Sequence, residues 1–216
     1  MNHLKRFNVS KKLLAVLLLY FMVFSGYPIT PKAEIPIGAN KFDSLKISYS
    51  ISGKFQNGHE TFIQKSDKTF RETYLETKIL ANTFHEHILE IDDGQYFYRI
   101  NMINKTGIKL PSLNKLKKEM IKKNPHLFKD GKHHPLRITP SKGMLDISET
   151  IQGKECRSYL HNNKIIFIWE DIILKEIWEV FGKTIKEADT LEVDIQIDDS
   201  VFQIPEGLHF QTKGEF

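Results

Sequence analysis

The chain has 216 residues, 40% hydrophobic and 27% charged, enough for one domain of the β-sandwich or barrel kind with one substantial core. Four of its 31 Lys and Arg (Lys5, Arg6, Lys11, Lys12) lie at the extreme N-terminus and the other 27 are matched by 27 Asp and Glu, so a nucleic-acid partner has little electrostatic support. Cys156 is the single cysteine, which excludes an intrachain disulfide and leaves the fold dependent on its core.

The four leading cations precede a twelve-residue apolar run, Leu13 to Phe24, closed by Ser25-Gly26. A basic n-region and a short h-region make residues 1–26 a secretory signal, too short to span a bilayer comfortably, where about 20 apolar residues are needed. The expected protein is exported, periplasmic or secreted, with N-terminal anchoring if the signal is retained. Residues 27–44, carrying Pro28, Pro31 and Pro36, read as a linker, and 45–216 as one domain.

Leu45, Ile47, Tyr49 and Ile51 alternate with Lys46, Ser48 and Ser50, the period of a strand with one buried face. Asn57-Gly58 carries the strongest short hairpin signal, because a type I′ turn needs positive φ at both central residues. Further strands are expected through Thr61-Phe62-Ile63, Phe70 to Ile79, Phe84 to Ile91 and Tyr96 to Ile103, with turns at Ala81-Asn82, Asp92-Asp93-Gly94 and Asn104 to Gly107. Five hairpin-linked strands at this spacing suit a barrel or a strongly curved antiparallel sheet.

The alternation stops at Pro111. Ser112 is an N-cap, and Leu113, Leu116 and Met120 at i, i+3 and i+7 make Ser112 to Lys123 an amphipathic helix, with Lys115, Lys117, Lys118, Lys122 and Lys123 around its other side. Asn124 to Gly143 reads as a long, lid-like loop. Strands resume over Leu145 to Ile151, Glu155 to His161, Ile165 to Trp169, Ile172 to Ile177 and Thr184 to Ile195, with a turn at Asn162-Asn163. Charge is segregated: 109–142 carries net +8 and 143–216 net −8, which makes the molecule dipolar if those segments present separate faces.

Ile51-Ser52-Gly53-Lys54, Asp93-Gly94-Gln95-Tyr96-Phe97-Tyr98, Lys105-Thr106-Gly107, Ile151-Gln152-Gly153-Lys154-Glu155-Cys156, Ile168-Trp169-Glu170-Asp171-Ile172-Ile173-Leu174-Lys175 and Phe202-Gln203-Ile204-Pro205-Glu206-Gly207 follow one another in an order that resembles the outer-membrane lipoprotein carrier (LolA-like) superfamily. The resemblance covers about Leu45 to Phe210 and implies an unclosed β half-barrel whose concave side is covered by helices around a cavity for acyl chains. No position matches a lid or hand-off residue of that superfamily by motif.

Phe62, Phe84, Tyr96, Tyr98, Phe167, Trp169, Trp178 and Phe181 give the sheet a heavy aromatic load, readable as plain core or as the lining of a pocket that Leu113, Leu116 and Met120 would cover. The helix lysines form either a solvated face or a surface for anionic headgroups, each Lys contributing about 1 kcal/mol there. His85 and His87 share a strand face and could supply two zinc ligands, but no third ligand has matching spacing; a satisfied pair is the simpler reading, as is a loop turn at His133-His134-Pro135. Cys156 with His161 and Asp171 could form a nucleophilic set, against the simpler reading of a small buried hydrophobe. No Ser/His/Asp, paired-carboxylate or phosphate-loop pattern stands out. The expectation is therefore a non-enzymatic envelope protein without a cofactor that holds a lipid or acylated ligand in a concave pocket; the alternative is an envelope sensor or protein-interaction domain using the same face.

Overall fold

The computed structural model describes residues 42–123, 143–179 and 182–211, all within the second of the two units into which the chain divides, Pro36–Phe216. The signal, nearly all of the linker, Phe181 and the loop 124–142 lie outside the described residues. The elements are β1 (Ser44–Gly53), β2 (Gln56–Lys65), β3 (Lys68–Ile79), β4 (Asn82–Asp92), β5 (Tyr96–Asn101), β6 (Thr106–Pro111), α1 (Leu113–Lys123), β7 (Met144–Ile151), β8 (Lys154–His161), β9 (Lys164–Trp169), β10 (Ile172–Glu179), β11 (Lys183–Val193), a 3-10 turn (Asp199–Phe202) and β12 (His209–Gln211).

The strands form one unclosed, half-barrel-like sheet in the order β12-β6-β5-β4-β3-β2-β1-β11-β10-β9-β8-β7. Neighbours are antiparallel except β12, which runs parallel to β6. Two meanders, β1 to β6 and β7 to β11, meet where β1 pairs with β11. Register irregularities at Ser48/Tyr49 in that pair and at Ile173/Lys175 between β9 and β10 bend the sheet locally.

Two-residue turns set most of the registers. Gln152-Gly153, Asn162-Asn163 and Glu170-Asp171 each have positive φ at both positions, the type I′ geometry that matches strand twist. Asn57-Gly58 departs from expectation: the hairpin turns at Lys54-Phe55, and Asn57 and Gly58 lie inside β2, paired with Ser52 and Ile51. A Cβ at position 58 would overlap the Tyr74 carbonyl oxygen of β3, so the glycine serves a close backbone approach rather than a turn. The first meander also holds a sixth strand, β6, in a stretch where only a turn was expected.

The core is divided between the two faces of β2. Phe62 joins Leu45, Ile47, Tyr49, Ile151, Cys156, Phe167, Ile172, Leu174 and Ala188 in one buried cluster. Ile63, pointing the other way, joins Leu89, Ile91, Tyr98, Ile100, Ile197 and Phe202 in the second. That second cluster is closed by the C-terminal segment, whose Ile195, Val201, Ile204, Leu208 and Phe210 pack against it. Each fully buried Ile or Phe contributes about 1.5 to 3 kcal/mol of apolar burial.

Candidate functional site

Cross-strand register places a row of alternating charges on the face of the sheet that also carries Ile47, Tyr49 and Phe62. Arg99 on β5 reaches Glu90 on β4 (3.2 Å), and Glu90 reaches Arg71 on β3 (3.5 Å). Arg71 continues to Glu60 on β2 (3.4 Å), and Glu60 accepts from Lys186 of β11 (2.5 Å) across β1. Lys186 then approaches Glu176 on β10 (3.9 Å), which pairs with Lys164 on β9 (2.8 Å). The middle of this ladder is largely withdrawn from water: the side chains of Glu60 and Lys186 are 9% and 13% exposed. Burial lowers the pKa of the Arg71 guanidinium, while Glu90 and Glu176 oppose that shift. Tyr49 lies under Lys186 (4.3 Å from ring centroid to Nζ) and donates to the Ile173 carbonyl (2.8 Å). Burial first, then Glu60 and Glu176, raise its phenol pKa. An alkyl chain lying along this stretch would strip water from the still hydrated ends of the ladder, Arg99 and Lys164, which is costly.

The candidate pocket residues do not converge on one concavity. Phe62 and Phe167 are buried in the first cluster, and Trp169 packs at its margin, stacked on Phe42 (5.6 Å) under Lys154. Tyr98 is buried in the second cluster, with Tyr96 packed against it. Trp178 lies beneath Lys164 (4.8 Å), and Phe84 is exposed near the start of β4.

The helix side chains lie elsewhere again. Leu113, Leu116, Met120 and Ile121 are 57%, 40%, 57% and 37% exposed, so the apolar stripe of α1 faces outward. The helix is nevertheless fixed at its root. Ser112, fully buried, accepts from the Asn114 amide (3.1 Å) and donates to Asp92 Oδ2 (2.9 Å). Asn114 donates to the Asp67 carbonyl (3.1 Å), and Lys118 pairs with the Asp67 carboxylate (2.7 Å). The Lys118 hydrogen bond lowers the Asp67 pKa; burial raises that of Asp92, against hydrogen bonds from Gly94 and Ser112. Lys122 and Lys123 are exposed in the last turn, Lys115 lies over Tyr96 (5.4 Å), and Lys117 is on the same helix.

His85 and His87 of β4 share a face of the sheet with His59 of β2 and Tyr74 of β3. His87 Nε2 lies 2.7 Å from Glu72, His85 Nδ1 lies 3.2 Å from the Tyr74 hydroxyl, and His59 stacks on Tyr74. Among the described residues no group of three or more His, Cys, Asp or Glu is arranged to hold a metal. Cys156 is fully buried, its thiol pKa raised chiefly by burial, with Sγ 3.4 Å from the Lys154 carbonyl. Among the described residues no helix is long and apolar enough to cross a membrane.

Sequence reasoning missed the charged ladder, Ile121 and Lys109. The ladder had a signal: Glu60 and Glu90 stand in the same phase of their strands as Phe62 and Ile88, where alternation expects apolar side chains.

No family model matches the chain, and no curated protein matches it. Among solved structures, the chain is similar to an uncharacterized conserved protein from Thermus thermophilus, with a TM-score of 0.48 and 5% identity over 81% of this chain and 93% of that one. It is also similar to PNGF-II in P21 crystals, with a TM-score of 0.39 and 13% identity over 79% of this chain and 32% of that one. For PNGF-II in C2 crystals the TM-score is 0.33, with 14% identity over 80% of this chain and 31% of that one. The chain thus spans about a third of PNGF-II.

Proposed function

We propose that this chain is a non-enzymatic, exported envelope protein that binds anionic lipid, with α1 as its contact element. The observation that carries the reading is the outward apolar stripe of Leu113, Leu116, Met120 and Ile121 on a short helix whose other positions hold five lysines and whose root is pinned to the sheet. A helix of this composition lies in the interfacial plane of a bilayer, its apolar side chains among acyl carbons and its lysines among phosphates. The lipoprotein-carrier resemblance also points to lipid. The ladder across the sheet favours contact at the helix over an acyl chain along that face.

The test is co-sedimentation of the purified protein with vesicles of neutral lipid, alone or mixed with phosphatidylglycerol. Binding should require the anionic lipid, weaken with added salt, and fall about tenfold or more in Leu116→Asp and Met120→Asp, since a charge in the apolar stripe costs on the order of 2 kcal/mol. Equal binding to neutral vesicles, or binding to neither, overturns the reading. A protein-interaction role draws on a different feature. Among the described residues, edge strand β7 has an unpaired side beside exposed Met144, Ile147 and Leu160, a surface able to accept a partner strand.

A further inference from the structure

Register puts Lys109 of β6 opposite Tyr98 of β5, with Tyr96 two residues along the same face. The Lys109 ammonium therefore reaches both rings, 4.0 Å from the Tyr96 centroid and 5.4 Å from that of Tyr98. Lys115, in the first turn of α1, reaches the same Tyr96 ring from the helix side, at 5.4 Å. That first turn contains no acidic residue, although the helix N-terminus is its positive end.

Three aspartates at the root of α1 are otherwise engaged. Asp67 is held by Lys118, Asp92 by Ser112 and the Gly94 amide, and Asp93 by the Gln95 and Tyr96 amides. Among the described residues neither Lys109 nor Lys115 makes an ion pair. Two ammonium groups thus approach one ring, with Glu119 one helical turn from Lys115 as the nearest uncommitted carboxylate in sequence.

We propose that Lys109 and Lys115, flanking Tyr96 at the root of α1, bind the phosphate monoester headgroup of a membrane lipid. The proposal rests on the reading of α1 as a lipid-contact helix and names the headgroup that this surface selects. A monoester carries about 1.5 to 2 negative charges at neutral pH, and its three terminal oxygens can accept from two ammonium groups at once. A diester such as phosphatidylglycerol offers one charge.

The test compares vesicles containing phosphatidic acid with vesicles containing phosphatidylglycerol, matched in surface potential. The wild-type protein should bind the phosphatidic acid vesicles about fivefold more tightly, the effect of one additional lysine contact. Lys109→Met, which leaves the sequence of α1 unchanged, should remove that preference by weakening phosphatidic acid binding more than phosphatidylglycerol binding, and Lys109→Arg should retain it. Equal wild-type binding to the two vesicles, or a preference that survives Lys109→Met, overturns the headgroup site and leaves the lipid-contact reading standing. Binding to neither overturns that reading itself. Inorganic phosphate at millimolar concentration should leave the preference intact, and its abolition would assign the site to soluble phosphate.

Discussion

Glu60 occupies a position that strand alternation reserves for an apolar side chain, and it survives there because Lys186 and Arg71 approach its carboxylate from β11 and β3. Removing one member of a buried ion pair strands its partners, which costs about 3 to 5 kcal/mol. Glu60→Gln should therefore lower the urea midpoint by an amount equivalent to about 3 kcal/mol, with an unchanged midpoint indicating that water replaces the carboxylate. The two aspartates at the root of α1 titrate in opposite senses. Asp67 has its pKa depressed by Lys118, so its contribution is present above the unfolded carboxylate value of about 3.9 and is lost as pH falls through the folded value. Asp92 has its pKa raised by burial, so folding favours its protonated form and that contribution fades as pH rises through the folded value. Amide protection factors in α1, which correct for the intrinsic pH dependence of exchange, should fall on acidification below about pH 4 in the wild type. In Asp67→Asn protection should already be low at neutral pH and respond little to acid; an unaltered profile would show that Lys118 does not anchor the helix.

Among the elements, the Asn162-Asn163 turn of the second meander was legible, because Asn tolerates the left-handed conformation that both positions adopt better than most residues with a side chain. Glu170-Asp171 adopts the same geometry without the matching residues. Asp171, at φ 67, should give way to Gly with a gain of about 1 kcal/mol in chemical denaturation, and a loss would mean that its side chain holds the turn. The Ser112 cap and the 3.6-residue spacing of Leu113, Leu116 and Met120 likewise made α1 readable, but nothing in that spacing tells which way an apolar stripe faces. Asn57-Gly58 misled because the glycine's role is set by Tyr74, a residue on the neighbouring strand, and local signals carry no such information. The same holds for β6 and β12. Thr106 to Pro111 is short and mixed, and His209 to Gln211 becomes a strand only by docking beside it.

At the scale of the whole molecule, the ladder joins residues spread from Glu60 to Lys186, so its individual glutamates were visible in sequence while their assembly was not. The second core depends equally on distant chain, since Phe202 of the 3-10 turn closes a cluster built from β2, β4 and β5. Phe202→Ala should cost about 3 to 5 kcal/mol in denaturant unfolding, and a much smaller loss would show that the C-terminal cover contributes little. The β1–β11 pairing has a kinetic consequence. Within each meander, neighbouring strands are joined by short connections, yet Leu45 must find Val193 across most of the chain. Closing a loop of that length carries an entropic penalty of about 4 kcal/mol before any contact is gained. The two halves can therefore nucleate independently, with the joining of β1 to β11 as the late barrier-crossing event. Stopped-flow refolding should report it: Leu174→Ala, within a meander already formed at that barrier, should chiefly slow the main phase, whereas Ile47→Val at the join should divide its effect between slower refolding and faster unfolding.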